Sequence, residues 1–245
     1  LWVMEAGKES SAKKIKNYGA GFRYHLSWSP DSKKLCYVDK ANKIKVYDFT
    51  ANQTYDVDAA LRYTYDEQES FSCSWSPDSR WLAYNRDMEN WHNAVFIYDT
   101  KSKTKRQVTS GYYSCAKPTF DSEGKYLFLF TSQKFLPYYG NFDNSFIYAN
   151  STQLAAIALK KDTPSILAAK NDTVSLKADE EKAEKTSAKD EKKKGKESNP
   201  QAEDKKEKDK PVDIDFDGIE QRLVILPPSS GNLGNLSAAK GKVIY

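Results

Sequence analysis

The sequence predicts an all-β fold, a β-propeller of four-stranded antiparallel blades, and three observations carry that expectation. A phrase repeats: Ser27-Trp28-Ser29-Pro30-Asp31-Ser32 returns as Ser74-Trp75-Ser76-Pro77-Asp78-Ser79, 47 residues later, and a worn copy, Thr119-Phe120-Asp121-Ser122-Glu123-Gly124, follows after a further 45. Each copy leads into an apolar strand pattern, Leu35 to Val38, Trp81 to Tyr84 and Tyr126 to Phe130. A period of about 40–50 residues holding several short strands is how a propeller blade is written in sequence. Aromatic residues make up 13% of the chain. None lies between Tyr148 and Phe216, so the rest is richer still, which suits pleated, half-buried surfaces.

The elements follow one grammar. A strand ending in Trp-Ser meets a Pro-Asp-Ser turn, where proline presets φ and aspartate bonds the backbone beyond it. The next position favours positive φ. Gly124 occupies it in the worn copy, Ser32 and Ser79 in the others. A second strand follows the turn, then a third ending Val46-Tyr47-Asp48 or Ile97-Tyr98-Asp99, then a fourth at Gln53 to Val57 or Arg106 to Thr109. Trp28 and Trp75, with Phe120 as counterpart, are expected to pack between blades. Leu1 to Glu5 aligns with Ile44 to Asp48, so residues 1–20 read as a partial blade closed by a strand at Ala12 to Tyr18. Blades then fall at about 22–60, 70–110 and 114–170, the last interrupted by a Tyr- and Phe-rich excursion from Phe135 to Tyr148.

Residues 171–213 are different material. From 176 to 213 there are 12 Lys against 12 Asp plus Glu and no aromatic. Such a segment has too little apolar surface to offset the entropy of ordering, and it reads as a flexible, solvated insertion. Residues 214–245 read as the start of a further blade, with two strands between Arg222 and Tyr245. The remaining length of about 207 residues corresponds to roughly four and a half blades, an incomplete propeller and a piece of a longer protein.

The residues that carry chemistry are few. The net charge is +4 with both signs mixed, and no basic run interleaves with aromatics, so nucleic acid is not an expected partner. No stretch approaches 18 apolar residues, so no membrane span is expected. Cys36, Cys73 and Cys115 are widely spaced and read as small buried hydrophobes. The two histidines, His25 and His92, stand in no Gly-x-Ser-x-Gly or His-Glu-x-x-His context. Asp213, Asp215, Asp217 and Glu220 resemble half of a calcium loop, but Glu220 follows Gly218 too closely for it. They read as a turn of solvated carboxylates with Arg222 at hand. No catalytic residue, metal or cofactor is expected in this chain.

The stretch Ile214-Asp215-Phe216-Asp217-Gly218-Ile219-Glu220-Gln221-Arg222-Leu223, followed by Leu226-Pro227 and a Gly-Asn-Leu, resembles the corresponding segment of tricorn proteases. The Trp-Ser-Pro-Asp repeats are similar to TolB-type propeller repeats, shared by tricorn, TolB and prolyl-oligopeptidase relatives. The resemblance implies a propeller that precedes a PDZ-like module and a serine peptidase core, where it filters or guides peptide substrates. The family's catalytic Ser and His lie in a part this chain does not reach, so none can be carried onto a residue here. Partners implied are peptides, the remaining domains of the same protein and a homo-oligomer. The family implies a cytoplasmic location, or a periplasmic one if an export signal precedes Leu1. Substrate-guiding candidates are aromatic and polar residues in loop insertions: Trp91, His92, Phe135, Tyr138 and Tyr139. A TolB-like or WD-repeat-like interaction propeller without enzymatic activity is the alternative, and a prolyl-oligopeptidase cap the third.

Overall fold

The computed structural model describes residues 1–15, 21–62, 71–134, 136–169 and 210–245. In chain order, β1 (Trp2–Glu5) and β2 (Lys8–Lys14) form a hairpin turned at Gly7, whose φ is 77°. The strand expected at 12–18 therefore begins earlier, because this tight turn sends the chain straight back. The first blade is β3 (Arg23–Trp28), β4 (Lys34–Asp39), β5 (Lys43–Asp48) and β6 (Gln53–Ala59), paired antiparallel in that order. The second is β7 (Cys73–Trp75), β8 (Trp81–Asp87), β9 (Asn93–Asp99) and β10 (Thr104–Gln107). The third opens with β11 (Cys115–Phe120) and β12 (Tyr126–Thr131). A small ribbon, β13 (Tyr138–Tyr139) and β14 (Phe146–Ile147), then intervenes before β15 (Gln153–Ala158).

The fourth strand of the third blade comes from the far side of the charged insertion. β16 (Leu223–Ile225) pairs antiparallel with β15, matching Ala155 to Ile225 and Ile157 to Leu223. The first strand of the tail thus completes the third blade and does not open a new one. A sequence gap of this size hides the pairing. Only β17 (Ser237–Ala239) and β18 (Lys242–Ile244) form a separate hairpin beyond it.

Alternation within each strand builds the core as layers between sheets. In β4, Leu35 and Tyr37 face the β1–β2 hairpin, while Cys36 and Val38 join Ile44, Val46, Leu82, Tyr84 and Phe96 between the first two blades. Trp81, Val95 and Ile97 meet Leu127, Leu129 and Ile157 between the second and third. Each such side chain contributes about 1.5–3 kcal/mol when removed from water. Trp75 lies in its layer as expected, and its indole N–H donates to Ser27 O at 3.1 Å. Phe120 lies in the next layer, its N–H donating to Ser74 Oγ at 3.1 Å. Trp28 departs from the expectation. It stacks on Phe49 at 4.9 Å and stays 44% exposed, because the hairpin on that face has only two strands to cover it.

The outer strands are tied by a buried carboxylate. Asp58 on β6 accepts from Tyr84 Oη at 2.9 Å and pairs with Lys105 on β10 at 2.6 Å. Burial and the nearby Asp58 charge together push the Tyr84 phenol well above its ordinary pKa, so it remains a donor.

The repeated turn works as its spelling implies. Ser29 Oγ donates to Asp31 Oδ1 at 2.6 Å and accepts from Lys34 N at 2.9 Å, while Asp31 Oδ1 accepts from Lys33 N at 3.0 Å. Ser76 and Asp78 reproduce the pattern. In the worn copy Asp121 does the work alone, accepting from Lys125 N and Tyr126 N. Gly124 there is doubly required: its φ is 69°, and a Cβ would meet Val212 Cγ2 at 2.5 Å.

Two predictions come from these turns. Ser32 (φ 58°) and Ser79 (φ 61°) both sit in the left-handed region, which costs a residue with a Cβ roughly 1–2 kcal/mol. Ser32 is exposed, whereas Ser79 Oγ accepts the Asp31 N–H across the blade seam at 2.9 Å. In urea titrations Ser32→Gly should be more stable than the parent by about 0.5 kcal/mol after glycine's own entropy cost, and Ser79→Gly should not. The second concerns Asp99, which forms a bidentate pair with Arg80 at 3.1 and 2.8 Å. Burial opposes its charge, but bonds from Arg80, Lys101 N and Ser102 prevail and hold its pKa at about 2. A lowered folded pKa adds stability that is full above the unfolded value near 4 and lost as pH falls through about 2. Asp99→Asn should accordingly lower the melting temperature at pH 7, with the difference from the parent shrinking between about pH 4 and 2.

Candidate functional site

Antiparallel pairing sends the Pro-Asp-Ser turns to one end of the blades, together with the turns at 49–52 and 100–103. The loops at 88–92, 108–114 and 132–152 fall at the other end. At the first end the Pro-Asp-Ser turns are short and hydrogen-bonded to themselves, and the long connection from β15 to β16 also leaves from there. The second end carries the other long connections and most of the exposed aromatics.

The loop after β8 is closed by Met88 N to His92 O at 2.8 Å and Trp91 N to Met88 O at 3.1 Å, with Trp91 at φ 67°. That backbone turns the Trp91 ring outward, 74% exposed, under the Arg62 guanidinium at 4.1 Å. Arg62 also donates to Met88 O and Glu89 O, both at 2.7 Å, so the first blade's exit clamps the second blade's loop. His92 Nδ1 lies 2.7 Å from Tyr112 O, and a carbonyl can only accept, so Nδ1 carries the proton. Asn90 Nδ2 donates to Gly111 O at 2.8 Å. Together they fix the connection between the second and third blades, where Tyr112 and Tyr113 meet edge to face at 4.9 Å. Tyr112 is 72% exposed.

Beside this pair runs a groove of about 690 Å³ between the second and third blades. His92, Tyr112, Tyr113 and Tyr148 wall it, with the hydroxyls of Ser114, Ser132 and Ser151 and the ammonium of Lys134. Lys134 Nζ donates to Ser230 Oγ at 2.6 Å, which brings the segment after β16 to the rim. The lining holds no carboxylate. Among the described residues no group of three or more His, Cys, Asp and Glu is placed to hold a metal ion.

Of the candidates taken from sequence, His92 lines the groove and Trp91 stands outside it, held by Arg62. Tyr138 and Tyr139 lie on β13, exposed, with Tyr139 edge-on to Phe146 at 5.7 Å. Phe135 lies outside the described residues. Sequence reasoning passed over Tyr112, Tyr113, Lys134 and Tyr148. The signal for the first two was Gly111-Tyr112-Tyr113 in a short connection, where two adjacent aromatics cannot both face a core.

The carboxylates at 213–220 reach both ends. Asp217 pairs with Lys161 at 2.6 Å, Asp215 Oδ2 accepts from Lys161 N at 2.9 Å, and Glu220 Oε1 accepts from Ser110 N and Oγ at 2.8 Å. Arg222 pairs with none of them. It donates to the carbonyls of Ala158, Asp217 and Asp215, stitching β15 to the turn before β16.

These blades and seams define the class of the molecule, a β-propeller of stacked four-stranded antiparallel sheets. A family model, the tricorn protease second beta propeller domain, matches residues 1–245, and the chain belongs to that family. A Sulfurisphaera tokodaii protein described as a tricorn-like protease C-terminal subunit is 27% identical over 133 residues, 53% of this chain and 14% of that protein. The peptidase YuxL of Bacillus subtilis is 27% identical over 101 residues, 40% of this chain and 15% of its own. The crystal structure of the tricorn protease superposes with a TM-score of 0.66 over 93% of this chain and 19% of that one, at 13% identity. A TolB structure from Agrobacterium tumefaciens gives a TM-score of 0.43 over 64% of this chain and 50% of that one, at 16% identity. The chain thus spans a small fraction of the two peptidase relatives and of the tricorn chain.

The His92 bond gives a test of how the rim is held. His92→Ala should cost about 1 kcal/mol and speed amide exchange across Gly111 to Ser114 more than in the strands of the second blade, measured by hydrogen–deuterium exchange.

Proposed function

We propose that this propeller serves a tricorn-like serine peptidase by filtering and guiding peptides towards a peptidase core outside the chain. The observation that carries the reading is the loop end between the second and third blades. Exposed tyrosines beside hydroxyls and a lone ammonium form a groove with no acidic wall. An extended peptide offers backbone donors and acceptors for such hydroxyls, and side chains that rest on aromatic faces at little entropic cost to the ring. Lys134 favours a peptide carboxylate, while open walls keep contacts weak enough for release. The reading takes PDZ-like and peptidase domains of the same protein as partners, with self-association and a cytoplasmic setting.

A second reading, a docking face for a folded protein, is favoured by one feature. The β13–β14 ribbon exposes Tyr138, Phe142, Phe146 and Tyr148 within a few residues of one another, more apolar surface than an isolated ribbon keeps in water without use.

The test compares the isolated chain with the full-length parent on a mixed fluorogenic peptide set. Hydrolysis should be confined to the parent. Tyr112→Ser combined with Tyr113→Ser should raise its KM several-fold and leave kcat unchanged. A parent inert on every peptide would remove the peptidase reading and leave the docking face.

A further inference from the structure

Cys36 and Cys73 come from different blades but face the same layer. Cys36 stands on β4 opposite Ser27 in the register, on the face that also carries Val38 towards the second blade. Cys73 stands on β7 two residues before Trp75, so both side chains leave the strand on the same face. Trp75 reaches back across the seam to Ser27 O, the residue paired with Cys36. The two thiols therefore converge on one point of the seam, both within the core layer shared by the first two blades. Cys36 is fully buried and Cys73 is half-buried, so Cys73 is the more accessible residue of the two. Contact with Cys73, added to burial, raises the Cys36 thiol well above its ordinary pKa. Cys115 sits apart, buried in the next layer with its thiol on Thr131 Oγ1 at 3.5 Å.

We propose that Cys36 and Cys73 are a redox modification site, an attacking and a resolving thiol that form a disulfide across the seam of the first two blades. With hydrogen peroxide as oxidant, the Cys73 thiolate attacks one peroxide oxygen. The O–O bond breaks, and Cys73 becomes a sulfenic acid as one water leaves. The Cys36 sulfur then attacks the sulfenic sulfur, its proton leaves with the hydroxyl as a second water, and the S–S bond forms. Two thiols and one peroxide give one disulfide and two waters. The bond joins residues 36 and 73 across the connection between the blades, so it holds the seam closed. In the reduced protein packing, hydrogen bonds and the Asp58–Lys105 ion pair do so.

The full-length protein, treated with graded hydrogen peroxide, alkylated and digested with trypsin without reduction, gives the answer by mass spectrometry. The expected product is the 35–40 peptide linked to the 63–80 peptide, reversed by dithiothreitol, with Cys115 still alkylated. The melting temperature of the oxidised protein should rise by about 5–10 °C over the reduced form. Cys73→Ala should abolish the linked peptide and the shift. Cys36→Ala should leave Cys73 to accumulate as sulfenic acid, trapped by dimedone, and this readout needs no change in stability. Both cysteines alkylated after peroxide, Cys115 in the crosslink, or Cys73 driven to sulfinic acid in the parent without a link would each overturn the proposal.

Discussion

The seam between neighbouring blades is the constraint on which everything else in this protein rests. A four-stranded sheet with apolar side chains on both faces cannot stand in water alone, and the chain answers by stacking the next sheet against it. Strand alternation makes each sheet serve two layers, as when Leu35 and Tyr37 leave β4 on one side and Cys36 and Val38 on the other. The polar contacts sit at the margins of these layers. Trp75 donates to Ser27 O near the inner strands, Asp31 N donates to Ser79 Oγ at the turns, and Asp58 gathers Tyr84 and Lys105 at the outer strands. Burial supplies the driving force, and these bonds set the rotation of one sheet against the next.

Fixed rotation in turn divides the two ends of the molecule by task. At the Pro-Asp-Ser end the side chains of Ser29, Asp31, Ser76 and Asp78 bond their own turns, and Asp78 Oδ2 also accepts from Val212 N at 2.8 Å. At the other end the connections are also closed by their own bonds, as at Asp39, Asn90 and His92, but their length varies from blade to blade. The first blade turns from β4 to β5 in a few residues, the second adds Met88 to His92, and the third adds the whole β13–β14 ribbon. Insertions there cost little stability because closing a longer loop is only weakly more expensive. The groove therefore forms where adjacent insertions meet, between the second and third blades.

The parts of this design legible in sequence were those governed by local rules. Turn spelling and period-two alternation are local signals, and the strands of the first two blades pair only with near neighbours. β16 was misread because its partner strand lies across the charged insertion, and strand pairing at that separation leaves no local trace. Trp28 and Trp75 share a motif but not an environment, because burial depends on how many strands the neighbouring sheet has. Tyr112 and Tyr113 escaped notice for a related reason. Nothing in their own segment says that the adjacent insertion would leave a groove beside them.

The inner strands bear on the proposed guiding role. Among the described residues β3, β7 and β11 are each the unpaired edge of their sheet, and an unpaired edge invites any extended peptide to add as a further strand. Two of the three are interrupted. The register of β3 shifts between Tyr24 and Ser27, with His25 at φ 52°, and that of β11 shifts between Ala116 and Thr119, with Lys117 at φ 54°. The two residues occupy the same place in the repeat, two positions before Ser27 and Thr119. β11 also carries Pro118, which has no N–H to give, and β7 is only three residues long. Bulge, proline and shortness are the devices by which edges are kept from capturing strands. A propeller meant to hold a peptide by strand addition would keep these edges straight and long. Edges blunted in this way deny a passing chain the continuous ladder that would trap it. Under the proposed function, recognition would then fall to side chains at the loop end.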